Sequence, residues 1–394
     1  MRTMSDRIYL DYAATTPLAA EARAAMEPWL AGADGFGNAS SLYAEGRAAR
    51  AAVRGGRERV AALLGAAPDE VIFTSGGSES DNWVLQRMCL PALLRGEPVS
   101  IVTTPIEHHA VLHTCDWLAP YGATVRYLPV DHEGRVQLAD VQRLVDSSTR
   151  VVSIMLANNE IGTIEPVAAI GAWLHEHQPD VMFHCDAVQA AGHIPVAVDE
   201  LQVDALSVSA HKLYGPQGIG ALYLRRGWGN RLGTFIHGGA QEHGLRAGTE
   251  NVAGIVGFGA AAELAQSELA AEAERLVQLR DQIIAGLTAS DRVWLNGAYT
   301  KGSYGDRLPG NVSFGIKGLA QDSLLIRLDM AGISVSAGSA CSAGAAEPSH
   351  VLRAVGLTAE QARSCLRVTL GRYTSADDVE RFLQLMRPII AGSR

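Results

Sequence analysis

Charged residues are scarce in this sequence, 19% of 394 positions, against the roughly 25% usual in soluble domains. Together with 41 glycines, that scarcity points to buried strands, tight loops and surface lost to a partner subunit. Cationic side chains are the rarer sign, 33 against 42 acidic ones, for a formal charge of −9. A nucleic acid or an anionic membrane as main partner would want the opposite surplus. Cysteines are few, odd in number and irregularly spaced: Cys89, Cys115, Cys185, Cys341 and Cys365. No CxxC pair occurs, so neither a disulfide framework nor a zinc ribbon is supported. Long hydrophobic runs are missing too. Only Ile8-Tyr9-Leu10 separates Arg7 from Asp11, which leaves no core for a signal peptide. The uncharged run Asn251–Ala262 is twelve residues, short of the roughly 20 a membrane span needs. The expectation is a cytoplasmic protein.

What is present is a large apolar fraction, 47%, enough for a sizeable core. The length suggests two to three domains at roughly 150 residues each. Between about residues 70 and 225, seven short apolar runs alternate mostly with helix-sized spacers. They are Glu70–Thr74, Val99–Thr103, Thr124–Leu128, Val151–Met155, Val181–His184, Ala205–Ser209 and Gly220–Leu224. That alternation predicts a largely parallel sheet with helices on both faces. Several runs lack polar alternation, as strands buried on both sides do. Past Gly257 the pattern changes. Leu269, Leu276, Leu279 and Ile283 stand at helical spacing, predicting one helix over Ala261–Leu287 that leads into a second domain. That domain has strand candidates at Val293–Leu295, Asn311–Phe314 and Leu366–Thr369.

Chemistry-bearing residues cluster near strand ends. Lys212 closes Ser207-Val-Ser-Ala-His-Lys, just before a glycine-rich turn. A lysine there either snorkels to water or, if desolvated, becomes a nucleophile able to form a Schiff base. Asp186 closes another apolar run, where it is either a helix N-cap or the partner of a protonated pyridine nitrogen. Phe73-Thr-Ser-Gly-Gly-Ser-Glu-Ser80 is a strand-to-helix turn of the kind that binds anions, without the spacing of a nucleotide motif. His109 and His113 sit at i, i+4, but nothing nearby completes a zinc motif, and no metal is expected. Cys341 lies in Ser336-Ala-Gly-Ser-Ala-Cys-Ser-Ala-Gly, among small residues that form no core. That context predicts an exposed loop carrying a candidate nucleophile.

Taken in order, these stretches resemble the PLP-dependent cysteine desulfurases of the NifS/IscS type. The likeness runs through Tyr9–Pro17, Thr74–Asn82, Glu107-His108, Asn158–Gly162, Asp186–Gln189, Ser209–Lys212, His237–Glu242, Arg246–Thr249, Ser339–Cys341 and Leu366–Arg372. The resemblance implies an α/β protein of PLP fold type I, like aspartate aminotransferase: a large domain with a seven-stranded mainly parallel sheet, plus a smaller α+β domain. Its domains would be residues 16–260, and 1–15 with 261–394. It further implies that pyridoxal 5′-phosphate is carried by Lys212, which also moves the substrate's Cα proton. Asp186 would pair with the pyridine nitrogen, Gln189 with the ring hydroxyl, and His108 would stack on the ring. Gly77, Ser78, Ser209, His211 and a neighbouring subunit's Thr249 would hold the phosphate of a homodimer. Asn159 and Arg367 would bind the carboxylate region of L-cysteine. Cys341 would take the sulfur as a persulfide, leaving alanine, and give it to an acceptor protein in iron–sulfur cluster assembly or thio-modification. A selenocysteine lyase or another PLP-dependent C–S lyase is the alternative.

The chain also departs from that pattern. Ala39 and Tyr43 stand where the family usually has Pro and His, and Gly77-Ser78 replaces the common Ala-Thr. The long C-terminal tail of the housekeeping type is not expected after Arg394. Gly55-Gly56 interrupts an otherwise helical stretch, at roughly 1 kcal/mol per glycine in a helix interior.

Overall fold

The computed structural model describes residues 7–31, 35–337 and 348–392. Among them run twelve strands: β1 (Ile8–Tyr9), β2 (Val71–Thr74), β3 (Ser100–Thr103), β4 (Thr124–Tyr127), β5 (Thr149–Ser153), β6 (Met182–Asp186), β7 (Ala205–Ser209), β8 (Gly220–Leu224), β9 (Val293–Leu295), β10 (Asn311–Ile316), β11 (Ile333–Ser334) and β12 (Cys365–Thr369).

All seven apolar runs enter one sheet, ordered β2-β8-β7-β6-β5-β3-β4. The β4, β3, β5, β6 and β7 pairings are parallel, while β8 runs antiparallel to both of its neighbours. Every residue of β2, β3, β6, β7 and β8 is buried, which is why those runs show no polar alternation. The edge strand β4 is the exception and is largely open. One hydrophobic cluster lies on each face of this sheet.

A second sheet, β12-β10-β9, is antiparallel and has a core of its own with the helix Ala376–Ala391. The two-residue strands β1 and β11 pair in parallel, so the N-terminal segment starts beside the small sheet. From there it runs on to the large one, where Thr16 N–H donates to the His211 carbonyl at 3.0 Å. The helix Val252–Thr288 supplies Ile255, Phe258 and Ala262 to one core and Leu276, Ile283 and Leu287 to the other.

That helix starts nine residues before the expected Ala261. Asn251 caps it, its side chain accepting from Gly254 N–H at 3.0 Å, and the glycine-rich stretch after it forms its first turns. A Cβ on Gly257 would meet Met26 at 2.6 Å, and one on Gly259 would meet the Gly56 Cα at 2.7 Å. These glycines are there for close helix crossing. Gly56 answers from the helix Ala44–Leu64, where a Cβ would lie 2.8 Å from Ile255. Gly55 faces open space, and nothing in the structure explains it.

Candidate active site

A cavity of about 280 Å³ lies at the carboxyl ends of the parallel strands, where open α/β sheets gather ligands. Gly77, Ser78, His108, Asn159, Asp186, Gln189, Ser209, His211, Lys212 and Arg367 all line it, joined by Asp81, Ala13 and Ala14.

Lys212 follows β7 in a short 3-10 turn. Its Nζ donates to the carbonyls of Ala13 at 2.5 Å and Ala14 at 2.7 Å. The side chain is half-buried, its amine held by backbone rather than spread into water. Asp186 ends β6 and is 6% exposed. Its Oδ1 accepts from Val188 N–H at 2.9 Å. Burial pushes this carboxyl up to about 6, opposed by the Val188 N–H and by the Lys212 charge. Gln189 Nε2 donates to the Ala13 carbonyl at 2.9 Å.

The helix Gly77–Leu94 opens onto the cavity. Its first N–H groups have no intrahelical partners and form the positive end of the helix dipole. A Cβ on Gly77 would sit 2.5 Å from Val188, so glycine lets the backbone approach where a side chain would press on the wall. Ser209 and His211 face the same cavity from the end of β7. His211 Nδ1 lies 3.1 Å from Thr15 Oγ1, and burial, then the Lys212 charge, pushes its imidazole down to about 4.

His108 caps the helix His109–Leu118, its Nδ1 accepting from Ala110 N–H at 3.1 Å. The neutral ring therefore carries its proton on Nε2. Burial first, then Lys212 and the neighbouring histidines, push it down to about 4. The rings of His109 and His113 stack at 4.7 Å. Among the described residues, no cluster of three or more His, Cys, Asp or Glu is set to hold a metal.

Arg367 reaches the cavity from β12 of the small sheet and is 1% exposed. Nη2 donates to Asp11 Oδ1 at 2.8 Å and Nη1 to the Asn159 carbonyl at 3.0 Å, while the buried Nε has no partner. A buried guanidinium edge without an acceptor is costly and suits an incoming carboxylate.

Thr249 lines a separate small cavity with Ser75, Gly218 and Arg246, and Cys341 lies outside the described residues. Tyr43 is 57% exposed and does not line the cavity. Sequence reasoning gave no role to Asp11, Ala13, Ala14 or Asp81. The first three stand in the quoted Tyr9–Pro17 stretch, but Asp11 meets its arginine 356 positions away, and a backbone carbonyl leaves no trace in residue type.

The donor set fits pyridoxal 5′-phosphate: a helix N-terminus for the dianion, a buried carboxyl for a ring nitrogen, an amine for the aldehyde and an imidazole beside them. The comparisons agree. The family model for aminotransferase class-V matches residues 8–382. Over 391 residues, 99% of this chain and 96% of the relative, the sequence is 46% identical to a protein of Dictyoglomus turgidum named cysteine desulfurase IscS. Among solved structures, a NifS-like protein is 36% identical with a TM-score of 0.89, covering 98% of this chain and 100% of that one. Another, described as SspA in complex with cysteine, is 34% identical with a TM-score of 0.80, covering 93% of this chain and 100% of its own.

Proposed function

The chain belongs to the class-V aminotransferase family, and on that premise we infer that it is a PLP-dependent cysteine desulfurase. It converts L-cysteine to L-alanine and moves the sulfur to Cys341. The observation that carries this reading is the meeting of Lys212, Asp186 and Arg367 around one cavity, in a chain 46% identical to a protein named cysteine desulfurase IscS. Bound pyridoxal phosphate supplies an electron sink adjoining the substrate's Cα.

The chain's own residues do the rest. Gly77 and Ser78, at the start of their helix, bind the phosphate with Ser209 and His211. Asp186 holds a proton on the ring nitrogen, which requires the carboxylate form. Arg367 turns its unpartnered Nε to the substrate carboxylate, with Asp11 and the Asn159 carbonyl fixing the plane of the guanidinium. Lys212 takes the proton from the substrate's Cα; its hydrogen bonds to Ala13 and Ala14 keep the amine at the cavity wall. His108, which carries its proton on Nε2, takes the proton of the substrate thiol at Nδ1 and releases the Ala110 N–H that Nδ1 holds in the resting site. The Cys341 thiolate then attacks that sulfur. One S–S bond forms, the Cβ–S bond breaks, and the three-carbon fragment takes up one proton at Cβ, regains the proton held by Lys212 at Cα, and leaves as alanine. Attack by a thiolate on divalent sulfur needs no outside oxidant.

The persulfide passes to an acceptor protein of iron–sulfur cluster assembly or thio-modification. A homodimer belongs to the same reading. Thr249 stands outside its own chain's cavity, where a second subunit could receive it, and Leu30, Phe36, Leu42 and Tyr43 leave apolar surface exposed along one stretch. A cytosolic setting completes it, since the four described cysteines are all free thiols. The test is to purify the holoprotein, supply L-cysteine, and measure alanine and protein-bound persulfide. Absence of both in a protein that has bound pyridoxal phosphate would overturn the reading.

A further inference from the structure

Beneath the ring site lies a polar cluster that the reaction does not use. Asp81 belongs to the helix that opens the phosphate cradle, one turn beyond Gly77, and is 1% exposed. Its Oδ1 is buried with no hydrogen-bond partner. It stands 3.5 Å from His184 Nε2, and it borders the same cavity as Asp186. His184 is fully buried and spanned by two hydroxyls, Ser153 Oγ at 2.8 Å from Nδ1 and Ser207 Oγ at 2.9 Å from Nε2. These residues come from three adjacent strands, β5, β6 and β7.

A carboxylate ion buried this deeply needs donors on both oxygens or a cation beside it. Asp81 has neither. His184 is held neutral by burial, pushed down to about 3. The other titratable groups facing this floor are Asp186, Glu107 and Cys185, none of them a cation, and the Lys212 amine lies across the cavity on the Ala13 and Ala14 carbonyls. Glu107 is also buried, with Oε2 lacking a partner. Two carboxyls sharing an apolar site do not both ionise. Burial, and then the negative charge of Asp186, drive the Asp81 carboxyl well above the ordinary carboxylate range.

We propose that Asp81 is a positioning residue held as a neutral carboxylic acid. It leaves Asp186 as the carboxyl that ionises against the ring nitrogen, and it ties the phosphate-binding helix to the sheet floor through its hydrogen bond with Ser207. This rests on the reading of the cavity as a pyridoxal phosphate site.

The test uses the full-length holoprotein and three readouts: the dissociation constant for pyridoxal phosphate, the pH midpoint of the cofactor's visible absorbance, and the infrared difference spectrum of wild type minus D81N. Asn reproduces the shape and neutrality of the acid. D81N is therefore expected to bind the cofactor within about threefold of wild type and to keep the midpoint, and the difference spectrum to show one protonated-acid carbonyl band at neutral pH. D81L, which keeps the branched shape but loses the polar tie, is expected to weaken cofactor binding about tenfold or more, the scale of a lost buried hydrogen bond. A carboxylate band in place of the acid band, or a midpoint displaced by a full pH unit in D81N, would overturn the proposal. If D81L does not fold, D81N and the infrared band still decide. Failure of the wild type to bind pyridoxal phosphate would instead refute the reading on which the proposal rests.

Discussion

Asp186 is where burial and function pull against each other most visibly. Its carboxyl titrates near 6 rather than in the ordinary carboxylate range because it is buried, yet it must be ionised to pair with a protonated ring nitrogen. The sign follows. Above about pH 6 the carboxylate is present and the pair forms; below it the carboxyl is protonated and the pair is lost. Affinity for pyridoxal phosphate, measured by fluorescence titration of apoprotein, should weaken by up to about tenfold per pH unit below 6. In D186N it should be weak throughout and lack that dependence. Arg367 offers a second test. Its guanidinium is fixed on two sides and open at Nε, geometry that a lysine ammonium does not reproduce. R367K should raise KM for L-cysteine by about 10- to 100-fold, the scale of a lost charge-assisted pair, with cofactor absorbance unchanged. At this scale the sequence was legible where residue type names a chemistry, as for Lys212 and Asp186. It was silent where a carbonyl does the holding, as at Ala13.

Elements tell a similar story through packing. Apart from the open edge strand β4, the strands of the large sheet were readable because burial on both faces writes a continuous apolar run. β1 and β11 were not, since two residues carry no period. The helix Val252–Thr288 was read short because its first turns are rich in glycine and alanine, chosen for contact with the helix Ala44–Leu64 rather than for propensity. The adjacent glycines of that partner helix separate the two effects. Gly56→Ala forces a Cβ to within 2.8 Å of Ile255 and should cost about 1–3 kcal/mol in denaturant unfolding, as overpacking does. Gly55→Ala meets nothing within 4 Å and should gain about 0.5–1 kcal/mol through helix propensity alone. Equal effects at the two positions would contradict the crossing described here.

At the scale of the whole molecule, the cavity exists because three parts of the chain converge. The large sheet supplies Asp186 and Lys212, the small sheet supplies Arg367, and the N-terminal segment supplies Asp11 and the carbonyls on Lys212. That convergence was visible in the sequence only as the order of motifs, because the contacts span up to 356 positions. Equilibrium sedimentation of the holoprotein should give twice the 41.7 kDa chain mass, as the position of Thr249 and the low charged fraction both suggest. The most direct test of the central claim is single-turnover product analysis with L-cysteine, comparing wild type with C341A, both loaded with pyridoxal phosphate. Equal cofactor absorbance is expected in both proteins, with alanine and protein-bound persulfide in matching amounts from wild type and neither from C341A. Alanine formed at the wild-type rate by C341A would contradict that claim.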